Sequence, residues 1–276
     1  AQNSFTDSIT TVGSLAAYSN TTCPAGVTGP YVAGNAVTGC ASSITFSQQG
    51  NNNFSLQIVD PSNNPVACSG SLAVGGTSPN GKASFAFNGS AITAAGTWTL
   101  KAFQNTNCSG SLASGTNSAN FVVTAGAAAK YLVTSANNSP QAGTAVTITA
   151  QLADSFGNPV STSGKTVNWS STNGGSFSSP STVTGASGIA TVQFTTSAVA
   201  GTVHTVTATD TSSFTGTSPS ITTQAGTGTK LVYGTQPSNT AAGAAIAPAV
   251  TVQVEDANNN IVTGSTAAVT IAIGTN

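Results

Sequence analysis

One stretch of this chain is written three times. It reads Leu56-Gln57-Ile58-Val59-Asp60-Pro61-Ser62-Asn63-Asn64-Pro65-Val66, then Ala150-Gln151-Leu152-Ala153-Asp154-Ser155-Phe156-Gly157-Asn158-Pro159-Val160. The third copy is Val252-Gln253-Val254-Glu255-Asp256-Ala257-Asn258-Asn259-Asn260-Ile261-Val262. The three aspartates lie 94 and 102 residues apart. A period near one hundred residues describes a tandem array of domains, because solenoid repeats are only about 20–50 residues long.

Each copy reads as a strand that runs into a turn. Leu56 and Ile58 point to one face and Gln57 to the other, the period of a half-buried strand. Asp then ends the strand, and Asn or Gly follows, because these residues tolerate positive φ and bond their own backbone. A proline suits the first residue of the next strand, where no donor is needed. The repeat-turn residues are therefore Asp60 and Asn64, Asp154 and Asn158, Asp256 and Asn260. A calcium loop is the alternative, but it needs about six to eight oxygen ligands and several carboxylates. Only the third copy carries a second acid, Glu255.

Charge is scarce. Charged residues make up 4% of 276 positions, with five Lys, no Arg, five Asp, one Glu and one His, against about 25% in an ordinary globular protein. A net charge of −1 offers nothing to steer the chain onto nucleic acid or anionic lipid. Apolar residues reach 38% and alternate regularly, which indicates folded β structure. No apolar run is long enough to span a bilayer. Met is absent, including at position 1, which suggests removal of a secretory signal peptide. Four cysteines, Cys23, Cys40, Cys68 and Cys108, fit an oxidising compartment. Sequons at Asn20, Asn53, Asn88, Asn107, Asn137 and Asn168 would permit glycans in a host with that machinery.

Read in order, the chain divides into an N-terminal extension (1–41), a first domain (42–126), a second (127–225) and a third (226–276). The extension has no counterpart elsewhere and is expected to form short strands at most. Two further stretches match between the first two domains. Gly81-Lys82-Ala83-Ser84-Phe85-Ala86-Phe87 matches Gly188-Ile189-Ala190-Thr191-Val192-Gln193-Phe194, and Ala95-Gly96-Thr97 matches Ala200-Gly201-Thr202. Ala-Gly linkers fall at Ala125-Gly126 and Ala225-Gly226. The third domain opens at Lys230-Leu231-Val232-Tyr233 and reaches Val269, Ile271 and Ile273, about half of the pattern. Such a half-sandwich would leave strand edges open, so either the chain continues past Asn276 or a neighbouring subunit supplies strands.

Short strands, frequent turns and no helical period predict an all-β chain of β-sandwiches with about seven strands each. The residues Asp154-Ser-Phe-Gly-Asn-Pro-Val160, Val167-Asn-Trp169, Gly188-Ile-Ala-Thr191 and Val206-Thr-Ala-Thr209 resemble bacterial immunoglobulin-like domains of the invasin/intimin type. The resemblance covers 127–224 and continues into 227–276. It implies tandem immunoglobulin-like sandwiches in an extracellular, cell-surface stalk, adhesin or surface layer, and it brings no catalytic residues.

The candidates for chemistry are few. His204 is the single histidine, on a strand and without a companion acid, nucleophile or ligand, and is expected to be a surface residue. Trp98 and Trp169 could stack on sugars, but alternate with small residues as core tryptophans do. A Lys–Asn isopeptide bond is conceivable at Lys130 or Lys230, although the second domain lacks a suitable acid. No cofactor or metal is expected. In a sandwich the loops after Asp60 and after the Trp98 strand lie at one end, which pairs Cys68 with Cys108 and leaves Cys23 for Cys40. The expected function is a non-enzymatic structural subunit of an extracellular filament, pilus-like fibre or surface layer, with copies of itself as partners. An adhesin stalk or carbohydrate-binding protein that meets cell-surface glycans is the alternative.

Overall fold

The computed structural model of the chain describes residues 9–19, 28–46 and 54–272. Apart from one short 3-10 turn at Gly89–Ala91, the regular structure is β. The chain divides into two compact units. The first is Ala1–Ala128 with Ala153–Val160, and the second is Ala129–Leu152 with Ser161–Asn276.

In the first unit a three-stranded sheet, Ile9–Tyr18, Val37–Phe46 and Gly81–Phe87, faces a five-stranded one. The second sheet runs in the order Tyr31–Val32, Ser118–Thr124, Gly96–Phe103, Ser55–Val59 and Pro65–Cys68. Alternation decides what faces inward. Leu56, Ile58, Trp98, Leu100 and Phe121 from the five-stranded sheet share one buried core with Val37, Ile44 and Phe87 from the other. Gly39 packs closely against this core, since a Cβ there would lie 2.7 Å from the end of the Leu100 side chain, which would have to move. This is a β-sandwich.

The extension does more than the sequence suggests. Ile9–Tyr18 is a ten-residue strand, paired antiparallel along Val37–Phe46. That second strand runs straight through position 41. Val12, Leu15 and Ala17 supply core. Alternating glycine, serine and alanine hide the pattern in sequence, because small side chains carry little apolar signal.

In the second unit one sheet runs Ser176–Phe177, Ile189–Thr195, Ala145–Asp154 and Ala128–Ser135, and another Ser181–Val183, Thr166–Ser171, Val206–Asp210 and Thr215–Thr217. Ile148, Leu152, Val167, Phe194, Val206 and Ala208 are fully buried. Val203–His204 pairs with Ile221–Thr222, and Lys230–Thr235 forms a hairpin with Thr251–Glu255.

Strand pairing corrects one equivalence. Ala145–Asp154 pairs with Ile189–Thr195, as Val37–Phe46 pairs with Gly81–Phe87. Ser55–Val59 pairs instead with Gly96–Phe103, as Thr166–Ser171 pairs with Val206–Asp210. The Asp60 turn thus closes the strand that pairs with Gly96–Phe103, whereas the Asp154 turn closes the strand that pairs with Ile189–Thr195. The spacing carried this information, since Gly81 follows Asp60 by 21 residues and Gly188 follows Asp154 by 34.

Cys68 and Cys108 form a disulfide across a sequence separation of 40. Both flank the start of Ser55–Val59. Cys68 lies opposite Gln57, and the Cys108 N–H donates to Ser55 Oγ at 3.0 Å. Cys40 is also disulfide-bonded; Cys23 lies outside the described residues. Opening the Cys68–Cys108 loop should lower unfolding free energy by about 2–4 kcal/mol. Urea unfolding of the Cys68→Ser/Cys108→Ser variant checks this, and an unchanged midpoint would refute it.

Candidate functional site

The Asp–Asn turns form the most elaborate polar structure in the chain. In each, the Asp N–H donates to the carbonyl of the Asn four residues on, and the residue before that Asn returns a bond to the Asp carbonyl. The returning residue takes positive φ when it is Asn63 (65°) or Gly157 (95°) and again at Asn259 (68°). Only Gly, Asn and Asp visit that region at little cost. A side-chain bond closes each ring, as when Asn64 Nδ2 donates to Asp60 Oδ2 at 3.2 Å.

The second and third turns go further. Asp154 is 1% exposed and Asp256 2%. A buried carboxylate must have its lone pairs satisfied, and here each is met by four N–H donors. Asp154 Oδ1 accepts from the Phe156 and Asn158 backbones, both at 2.9 Å. Its Oδ2 accepts from Asn158 Nδ2 and from the backbone of Gly126, both at 2.8 Å. Asp256 repeats this with Asn258 and Asn260 on Oδ1 at 2.8 and 2.9 Å, and with Asn260 Nδ2 and Gly226 on Oδ2 at 3.0 and 2.7 Å. Gly126 and Gly226 are the linker glycines.

The two asparagines reach another matched element. Asn158 Oδ1 accepts from the Ala95 N–H at 2.8 Å, and its Nδ2 donates to the Thr93 carbonyl at 2.7 Å. Asn260 Oδ1 accepts from the Ala200 N–H at 2.8 Å, and its Nδ2 donates to the Ala198 carbonyl at 2.9 Å. Ala95 and Ala200 are the alanines of the two Ala-Gly-Thr stretches. Three separate sequence matches, the turn, the linker and the Ala-Gly-Thr loop, therefore converge on one polar joint, built once within each unit. Asp60 lacks the extension: the four residues after it are exposed, and its carboxylate bonds within the turn.

The donors set the charge state. Burial alone would raise the Asp154 carboxyl, but the Asn158 amide and the N–H groups of Gly126, Asn158 and Phe156 outweigh it and hold it below its ordinary value. The Asn260 amide, with Gly226, Asn260 and Asn258, pulls Asp256 down to about 2 from 3.8. Because N–H groups crowd every carboxylate oxygen, these turns present donors where a cation would need ligands. Among the described residues no group of three or more His, Cys, Asp or Glu side chains could hold a metal ion.

A fourth Asp turn escaped the sequence reading because it ends in Phe rather than Asn. The backbones of Ser212 and Phe214 donate to Asp210 Oδ1 at 2.8 and 3.1 Å, and the Tyr131 hydroxyl donates to Oδ2 at 3.2 Å. Burial and then the Asp210 charge push the Tyr131 phenol well up.

His204 corrects an expectation. It is completely buried, with Nδ1 2.9 Å from the Thr172 carbonyl and Nε2 accepting from the Ser197 N–H at 3.1 Å. Its ring meets Phe194 edge-on. Counting back from buried Val206 puts His204 inward and Val203 outward, a phase the sequence contained. With both nitrogens engaged it is a structural group. Trp98 and Trp169 are buried, and their indole N–H groups donate to the Ala94 carbonyl and Thr182 Oγ1 at 2.8 and 2.9 Å. Asn88, Asn107, Asn137 and Asn168 are exposed; Asn20 and Asn53 lie outside the described residues. No helix among the described residues is long and apolar enough to cross a membrane.

No protein-family profile and no curated protein matches the chain. Among solved structures it is similar to the D0-D1 domain of intimin, at 18% identity and TM-score 0.31, over 77% of this chain and 98% of that one. It is also similar to FdeC, an Escherichia coli adhesin, at 18% identity and TM-score 0.35, over 92% of this chain and 76% of that one. A glycosyl hydrolase family 2 member from Bacteroides cellulosilyticus is matched at 14% identity and TM-score 0.34, over 75% of this chain but 24% of the hydrolase. The immunoglobulin-like sandwich is established here by the strand pairing itself.

Asn158→Ala strands a part-buried donor and acceptor, Asn260→Ala strands the part-buried Ala200 N–H and leaves Asp256 Oδ2 short of a donor, and each should cost about 1–3 kcal/mol. Asn64→Ala, at an exposed turn, should stay within about 0.5 kcal/mol. Equal losses for all three in urea unfolding would defeat the distinction. Because the folded Asp256 pKa is depressed, its stabilisation is present above its ordinary 3.8 and is lost as pH falls toward about 2. Thermal unfolding followed from pH 5 down to about 2 should show this loss in the parent and a smaller one in Asp256→Asn.

Proposed function

We propose that this chain is a load-bearing, non-enzymatic stretch of an extracellular cell-surface protein, built from three tandem immunoglobulin-like repeats with divisions near residues 126 and 226. The observation that carries this reading is the joint, which spends a buried carboxylate and a fully engaged asparagine on fastening each linker. A disulfide-stapled first sandwich and an exposed surface of neutral Ser, Thr and Asn suit an oxidising exterior. Neutral surfaces also assemble with little ion desolvation.

In its finer form the proposal makes the chain a subunit of a filament, pilus-like fibre or surface layer, with copies of itself as partners. Leu231 and Tyr233 share one face of their hairpin and are 55% and 45% exposed, a surface that such copies would cover. The second reading, an adhesin stalk, differs in that a cell-surface glycan or protein is the partner. Electron micrographs of the native material decide between them. Filaments or a lattice are expected; isolated particles that bind a glycan array would favour the adhesin.

The absence of catalysis is part of the proposal. His204→Ala should lower thermal stability by leaving the Ser197 N–H and Phe194 without their partner. A hydrolase or transferase activity in the purified protein that disappears with this substitution would overturn the reading.

A further inference from the structure

The third Asp–Asn turn differs from the others in what surrounds it. Lys230, on the strand after the linker, lies directly opposite Glu255 in the hairpin. Its Nζ is 3.5 Å from Glu255 Oε2, and the same nitrogen donates to Asn259 Oδ1. An amine, a carboxamide and a carboxyl group thus meet at one point. Glu255 is the more covered acid–base partner, with its side chain 14% exposed against 41% for Lys230.

The turn itself does not require this trio. Its positive-φ position is filled by Asn63 in the first copy, Gly157 in the second and Asn259 in the third, so backbone geometry alone explains any of them. Val59 and Ala153 stand where the third copy has Glu255, and Lys130 opens the second repeat as Lys230 opens the third. Lysine, acid and amide coincide only in the third. Asn259 is also held ready, because Asp256 fixes the residues on both sides of it through the Asn258 and Asn260 backbones. Fixed reacting groups at contact distance convert a slow bimolecular reaction into an effectively intramolecular one.

We propose that Lys230 and Asn259 are joined by an isopeptide bond, formed autocatalytically with Glu255 as proton carrier. The Lys230 ammonium gives a proton to the Glu255 carboxylate, and the neutral amine attacks Asn259 Cγ. A second Nζ proton passes by way of Glu255 to Asn259 Nδ2. The Cγ–Nδ2 bond breaks with its electron pair on nitrogen, and ammonia leaves. The Nζ–Cγ amide is formed, Glu255 ends protonated, and no oxidant or co-reactant is consumed. The bond ties the entry strand of the third repeat to the turn that grips its linker. Its value as a mechanical staple rests on the stalk reading above; its existence does not.

Glu255 is the single glutamate of the chain, so a Glu-specific protease provides the test. After reduction and denaturation, the parent chain cut at Glu255 should remain one species, its two pieces held through Lys230 and Asn259. Lys230→Ala and Asn259→Ala, cut in the same way, should fall into two. The intact parent should be one ammonia lighter than its sequence. Succinimide at an Asn-Gly step such as Asn80-Gly81 would also lose ammonia, so the branched peptide is the deciding readout. Glu255→Gln, which removes the Glu cleavage site, is read with a Lys-specific protease. It should restore cleavage after Lys230, which the parent resists while being cut after Lys130. Separation of the parent into two free pieces, or a cross-link from any other lysine, would overturn the proposal and leave an ion pair with a hydrogen bond.

Discussion

A buried carboxylate that receives four N–H bonds is the interaction on which the construction of this chain turns. Removing a charge from water is costly unless each lone pair finds a donor. Asp154 and Asp256 meet that condition only when the linker glycine, the turn backbone and the asparagine amide are all in place. The requirement therefore acts as a geometric lock. A linker that strays takes away the Gly126 or Gly226 donor, and a turn that unwinds takes away the other three.

Scarcity of charge gives the lock its meaning. The chain has six acidic residues, and three of them, Asp154, Asp210 and Asp256, are buried in turns. Acid is spent inside, where hydrogen bonds to a charged group are strongest, while the exterior is left to hydroxyls and amides. The same economy governs His204, whose two nitrogens tie Thr172 to Ser197 beneath the sheet. Titratable groups here work as fasteners. The trio at Lys230, Glu255 and Asn259 goes one step further, toward a covalent one.

The four Asp turns show how one local device serves different ends. Asp60, Asp154, Asp210 and Asp256 all fold the next few residues back onto their own carboxylate, since a short acid bonds its local backbone wherever a strand ends. What differs is what else meets the second carboxylate oxygen. Asp60 offers it to the Asn64 amide, Asp210 to a tyrosine hydroxyl, and the other two to a linker glycine as well as the asparagine amide.

Much of the fold was legible in the residues. Alternation at Leu56-Gln57-Ile58 and at Trp98-Thr99-Leu100 fixed strands and inward faces, because a pleated strand has a period of two whatever surrounds it. Positive-φ residues after Asp marked the turns for an equally local reason. The sequence also displayed all three components of the joint as separate matches. It could not show that they meet, since Ala95 and Asn158 lie 63 residues apart and only the packed sheets bring them together. Nor does the turn motif by itself tell the strand that Asp60 closes from the one that Asp154 closes, because identical local chemistry looks identical; only the spacing to the next matched stretch, 21 residues against 34, differs. Tertiary pairing alone joined those elements and drew Ile9–Tyr18 into the first sheet, where partners across the sheet decide what a weakly patterned segment becomes.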